Sequence, residues 1–200
     1  AMLLVLQTFT EQQRLTGKGS YTFQRTTAWA TDGVPLSGYG YPVRPNGLIC
    51  STFRPSDDCT LFPYLIPSNM FAIEVLGKLA ELCSLPAMTT SKLPSIAKKL
   101  QQQVKNGLKE DGIIQHPKFG KIIAFEVNGF GSFHLMDDAN VPSLLSLPYL
   151  GAIKPNDPLY LNTRKVVLSA NNPFYYKGKA GEGIGGPHTG ADTIWPMSII

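Results

Sequence analysis

The chain has 200 residues, with 18 Lys and Arg against 14 Asp and Glu for a formal charge of +4, 16% charged and 43% apolar side chains, 19 glycines and 16 prolines. That is apolar content enough to bury the core of one ordinary domain or of part of a larger one, and it excludes disorder, a coiled coil and a polybasic tail. The mild positive balance names no partner, and the economy of charge makes every cluster of carboxylates conspicuous.

Met2 to Gln13 has a helical pattern. Its apolar start is too short for a signal h-region and has no basic flank, and no run approaches the ~20 apolar residues of a membrane helix. The compartment, secretory pathway or cytoplasm, stays open. The chain begins inside this helix and ends on the apolar run Trp195 to Ile200 without a stop signal, so an internal fragment cut at both termini is expected. Cys50, Cys59 and Cys83 are odd in number and lack CxxC spacing, which assigns them to core packing ahead of a disulfide framework or a zinc site.

Leu65 to Cys83 reads as a buried helix, with Met70, Ile73, Leu76, Ala80 and Cys83 at steps of three and four and Ser68 as its cap. From about Lys92 to Leu108 a second helix carries the stripe Leu93, Ile96, Leu100, Val104 and Leu108, with Lys and Gln opposite. The period changes to that of strands between Gly112 and Val127, where a short hairpin is expected around Pro117 to Gly120. Helices return at Val141 to Leu147 and at Leu159 to Ser169, the latter opened by Asn156-Asp157-Pro158. The expectation is an all-α scaffold with elaborated loops. Two of these, Ser20 to Pro63 and Ala170 to Thr193, exceed the length at which structureless loops are usual unless functional.

Four carboxylates form two adjacent pairs, Asp57-Asp58 in Phe53-Arg54-Pro55-Ser56-Asp57-Asp58-Cys59 and Asp137-Asp138 in Met136-Asp137-Asp138-Ala139-Asn140. Glycoside hydrolysis requires one carboxylic acid to protonate the leaving oxygen and a second carboxylate to activate water or attack directly. Neighbouring Asp side chains also resist simultaneous ionisation, which keeps an acid protonated towards neutrality. The competing reading is that each pair caps a helix. As metal ligands Asp137, Asp138, Asn140 and His188 match no EF-hand spacing and no paired-His motif, so no metal and no other cofactor is expected. Gly181 to Gly186 satisfies GxGxxG, but no strand precedes it and Pro187-His188 stands where a helix should begin. Either a backbone folded close against a ligand or another loop, with glycine supplying positive φ, or a plain flexible loop accounts for it.

Trp29, Tyr39, Tyr41, Phe53, Phe174, Tyr175, Tyr176 and Trp195 lie in or beside the long loops, a mixture that suits a carbohydrate pocket or ordinary packing. Basic residues are scattered, so no nucleic-acid partner is expected. No G-x-S-x-G occurs, and no His neighbours a Ser in a recognisable nucleophilic arrangement.

At Tyr39 to Gly47, Phe53 to Asp58, Tyr64 to Phe71, Met136 to Leu145, Asn172 to Tyr176 and Gly183 to Thr189 the chain resembles glycoside hydrolase family 125, the exo-acting α-1,6-mannosidases. The resemblance implies a partial (α/α)6 toroid of the six-hairpin glycosidase type, spanning residues 1 to 200 as a fragment of one catalytic domain. It implies metal-independent, inverting removal of terminal α-1,6-linked mannose from an oligosaccharide or N-glycan. The general acid falls on Asp57 or Asp58, with Asp57 slightly favoured, and Arg54, Asp137, Asp138, Asn140 and His188 contact mannose hydroxyls. The family's general base is a Glu in an aromatic-rich block after the Ile-Trp-Pro segment, which Glu126 and Glu182 do not match, so it is expected outside this stretch. The alternative is a truncated, non-catalytic carbohydrate-binding protein.

Overall fold

The structure, a computed structural model, describes residues 1–29, 32–85 and 92–199. Among the described residues, five α-helical segments are interleaved with seven short strands: α1 (Met2–Gln12), α2 (Pro35–Gly38), β1 (Tyr64–Leu65), α3 (Ile66–Leu82), α4 (Leu93–Gly107), β2 (Ile113–His116), β3 (Gly120–Ile123), β4 (Glu126–Val127), β5 (Phe133–His134), α5 (Pro158–Val167), β6 (Tyr175–Lys177) and β7 (Glu182–Ile184). None of the described helices is long and apolar enough to cross a membrane.

Helices α3 and α4 pack against each other, and α1 packs on α4. The apolar stripe of α4 is buried as its spacing requires, through Ala97, Leu100 and Val104, with Leu93, Ile96 and Leu108 at its margin. Where α3 and α4 meet, the side chain of Gln101 donates to the Ile73 carbonyl at 2.7 Å. A Cβ on Gly77 would lie 2.6 Å from that amide nitrogen, so a larger residue there would push the Gln101 side chain off this bond. Helix α3 opens at Leu65 with Pro67 in its first turn and no side-chain cap; Ser68 lies inside the helix and does not cap it. Helix α5 is capped as expected, Asp157 accepting from the Leu159 N–H at 2.8 Å.

The expected hairpin is β2 and β3, paired from Ile113↔Ile123 to His116↔Gly120. The β content goes beyond it: β1, β4 and β5 form a three-stranded sheet, and β6 pairs with β7 inside the second long loop. A strictly all-α scaffold with a single hairpin is therefore too simple. The helix expected at Val141 to Leu147 is instead a run of turns over residues 144–151. Pro148 has no N–H to return to the Leu144 carbonyl, and its ring crowds that position. Side chains take over the bonding: Asp137 accepts from the N–H groups of Leu144 and Leu145 at 2.8 and 3.0 Å, and Ser143 and Ser146 bond each other's N–H at 2.8 and 3.1 Å.

The core runs from Leu6 and Leu48 through Leu65, Ile66, Leu76, Leu100 and Val104 to Ile123, Phe125, Leu147 and Ile184. Cys50 and Cys83 are buried and Cys59 is half-buried, all three as free thiols. Asn69 of α3 ties the first long loop to this core, accepting from the Ile49 N–H at 2.8 Å and donating to the Ile49 carbonyl at 3.0 Å.

Candidate active site

The segment Arg54 to Asp58 is a tight loop closed by a bond from the Arg54 N–H to the Asp58 carbonyl at 2.8 Å and flanked by a bridge between Phe53 and Cys59. Asp57 takes φ of 78°, a left-handed conformation that Asp tolerates better than most residues. That turn separates two adjacent carboxyls. Asp57 points outward and pairs with Arg25 at 3.1 Å, more than half exposed. Asp58 points inward and is only 2% exposed.

Around Asp58 three loops converge. The Ser56 hydroxyl lies 3.0 Å from its Oδ2 and 2.6 Å from Oδ2 of Asp138, which joins the two Asp pairs noted in the sequence. Nδ1 of His188 stands 3.7 Å from the same Asp58 oxygen. Trp29, Asp32, Asp58 and residues Pro187 to Gly190 line a cavity of about 350 Å³, within the range of small-molecule sites. Burial pushes the Asp58 carboxyl above its ordinary value against the Ser56 hydrogen bond and the pull of His188 and Arg54, while the Asp138 charge pushes the same way as burial. Two larger cavities, of about 540 and 660 Å³, lie away from this cluster; the carboxylate lining the first, Asp157, is engaged in capping α5.

The other predicted residues divide into two groups. Asp138 is fully buried, with Oδ1 accepting from the Asn140 N–H at 3.1 Å and its side-chain amide at 2.8 Å, so Asn140 orients Asp138. Asp137 points the other way and caps the turns that start at Leu144. Burial pushes its carboxyl up to about 8, against those two N–H groups. Asp137 thus caps as one reading expected, though over turns and not a helix, while Asp138 faces Ser56 and Asn140.

Arg54 is buried, its Nε 2.6 Å from Glu126 Oε1, while its Nη2 has no hydrogen-bond partner. Glu126, fully buried on β4, also accepts from the N–H groups of Leu61 and Phe62 at 3.1 and 3.2 Å, and His134 lies 3.8 Å away. Burial alone would raise this carboxyl, but His134, Arg54 and Phe62 outweigh it and hold it below its ordinary value. Glu126 therefore anchors Arg54. Its signal in the sequence is a lone carboxylate inside the apolar run Ala124-Phe125-Glu126-Val127, where an unpaired charge is prohibitive. Ser56 and Asp32 also escaped the sequence reading. Ser56 lay between the candidate residues, but nothing in one dimension marks the bridge to Asp138.

The GxGxxG segment is exposed at Gly181, where a Cβ would meet open space, and buried from Gly183 to Gly186. Gly185 donates to the Phe174 carbonyl at 2.9 Å and accepts from the Ala139 N–H at 3.1 Å, and a Cβ on it would run into the Thr193 carbonyl. A Cβ on Gly186 would lie 3.1 Å from Asp138 Oδ1. Neither takes positive φ, so the requirement here is absence of a side chain and not left-handed backbone.

Comparison with known families decides what this constellation belongs to: the family described as metal-independent alpha-mannosidase, GH125, matches residues 1–200. The chain belongs to glycoside hydrolase family 125. A curated relative, the meiotically up-regulated gene 157 protein of Schizosaccharomyces pombe, is 46% identical over 194 residues, covering 96% of this chain and 38% of its own length. A solved Streptococcus pneumoniae structure, from a family of metal-independent alpha mannosidases and holding alpha-1,6-mannobiose in a non-productive complex, superposes with a TM-score of 0.92 at 39% identity. The match covers 98% of this chain and 46% of that one, so the chain spans less than half the length of the proteins it resembles. Both likenesses are high enough that the GH125 fold, helices with small sheets, is shared.

Proposed function

We propose that the chain is the acid-bearing part of a single (α/α)6 catalytic domain that removes terminal α-1,6-linked mannose from an oligosaccharide or N-glycan by an inverting, metal-independent mechanism. The observation that carries this reading is the division of labour within Asp57-Asp58. Asp58 is buried at the cavity with its carboxyl held towards the protonated form, while Asp57 is spent on a surface pair with Arg25.

Asp58 is the general acid. It gives its proton to the glycosidic oxygen as the bond to the anomeric carbon breaks, and the leaving sugar departs as a neutral alcohol. Water attacks the opposite face, activated by a base that the family resemblance places beyond the Ile194-Trp195-Pro196 segment. In inverting enzymes acid and base stand about 6.5 to 9.5 Å apart. His188, which lines the cavity, holds a mannose hydroxyl, Asp138 acts from beneath it through Ser56, and Trp29, 72% exposed beside the cavity, offers a face for the sugar ring. Asp32, Asp58 and His188 could each give one ligand atom to a cation, these atoms lying within 4.8 Å of one another. We read them as proton and hydroxyl partners, in keeping with the family's metal-independent description.

The test is Asp58→Asn in the full-length protein. Hydrolysis of α-1,6-mannobiose falls about 10² to 10⁴-fold while the fold and mannose binding persist. Wild-type protein that binds mannobiose without ever cleaving it would support the carbohydrate-binding alternative and overturn the hydrolase.

A further inference from the structure

The Ser56 hydroxyl faces two carboxyls at once, Asp138 Oδ2 at 2.6 Å and Asp58 Oδ2 at 3.0 Å, and it is itself buried. A hydroxyl owns one proton and two acceptor lone pairs. It can donate to one of these oxygens only. The shorter contact has the length of a charge-assisted O–H···O⁻ bond, which puts the proton on the Asp138 side. Asp138 is well placed to stay the acceptor, because Asn140 donates twice to its other oxygen. The longer contact then sets two lone-pair-bearing oxygens together unless Asp58 carries a proton and donates it to Ser56.

We infer that Ser56 is a positioning residue for the acid: it accepts from protonated Asp58 while donating to Asp138, and turns its own proton onto Asp58 when that proton leaves for the glycosidic oxygen. This rests on Asp58 being the acid. No net proton moves through Ser56. Its O–H bond stays intact and rotates from Asp138 to the new Asp58 carboxylate, while Asp138 keeps both bonds from Asn140. The hydroxyl is thus worth more to the transition state, where Asp58 is ionising, than to the ground state, which is the condition for raising the rate. The other charged groups facing Asp58 are His188 at 3.7 Å, Asp32 across the cavity and Arg54. None of them bridges Asp58 to Asp138 by a hydrogen bond.

The experiment compares Ser56→Ala and Asp58→Asn in the full-length protein on two substrates. One is α-1,6-mannobiose, whose leaving group needs a proton; the other is α-mannosyl fluoride, whose leaving group needs little. For Ser56→Ala the expected result is a fall in kcat/KM of about 10²-fold on the disaccharide and only a few-fold on the fluoride. Equal losses on both substrates, or no loss on either, would overturn the inference. Asp58→Asn should show the same selectivity more strongly. If it does and Ser56→Ala does not, only the role of Ser56 fails; if neither is selective, the acid assignment fails as well. Ser56→Cys, nearly isosteric but a poor hydrogen-bond partner, carries the same comparison should the alanine variant not fold.

Discussion

Asp57 and Asp58 differ by one residue and by almost everything else. The left-handed turn at Asp57 sends one carboxyl to Arg25 and solvent and the other into the cavity. Asp57→Asn is accordingly expected to cost at least about tenfold less activity than Asp58→Asn, as measured by kcat/KM on one substrate. The charges around Asp58 give a second prediction. The acid works protonated, so activity declines as pH rises through its pKa. Asp138→Asn removes a negative charge and makes ionisation easier, moving that decline to lower pH; His188→Ala removes a positive influence and moves it to higher pH. Shifts of the same sign in both variants, in a pH profile of kcat/KM, would contradict this electrostatic arrangement. The family resemblance pointed to the block of the proposed acid but not to one carboxyl, because the two are told apart by a backbone dihedral at one position.

Among the elements, β4 matters out of proportion to its two residues, since it carries Glu126 to the buried guanidinium of Arg54. Glu126→Gln leaves that cation without its counter-charge and should destabilise the protein by about 3 to 5 kcal/mol in chemical denaturation. The pH dependence has a definite sign. A carboxylate held below its ordinary value stabilises the fold above its unfolded pKa, and this contribution is lost as acid protonates it through the lower folded value. Asp137 acts oppositely: its folded pKa of about 8 lies above the ordinary value of 3.8, so its contribution to stability declines as pH rises between the two. Melting temperatures against pH for Glu126→Gln and Asp137→Asn should each lose the corresponding slope. At the end of α5, Asp157→Ala removes a cap and should cost about 1 kcal/mol.

The long helices were legible because periodicity reports which face is buried, and α3, α4 and the Asp157 cap agree with it. The run after Pro142 was not, since its apolar residues kept a helical pattern while Pro148 removed a bond and Asp137, Ser143 and Ser146 replaced others. In the β1-β4-β5 sheet the strands are two residues long, too short to show a period, and β1 pairs with β4 from far along the chain, Tyr64 with Val127. The glycine segment was readable as a close approach, but its partners, Thr193 and Asp138, could only come from the fold.

At the scale of the molecule, two long loops far apart in sequence meet at one cavity, Asp138 is tied to it through Ser56, and Asn69 of α3 and Glu126 of β4 anchor the first loop. Helix α1 presents Leu3, Leu4 and Val5, each about half exposed or more, and the 200 residues expressed alone should aggregate more readily than the full-length protein. If these loops supply the acid of an inverting mannosidase, early-time proton NMR of the full-length protein cleaving α-1,6-mannobiose shows it most directly. β-Mannose should appear first and mutarotate later; first release of the α anomer would contradict inversion.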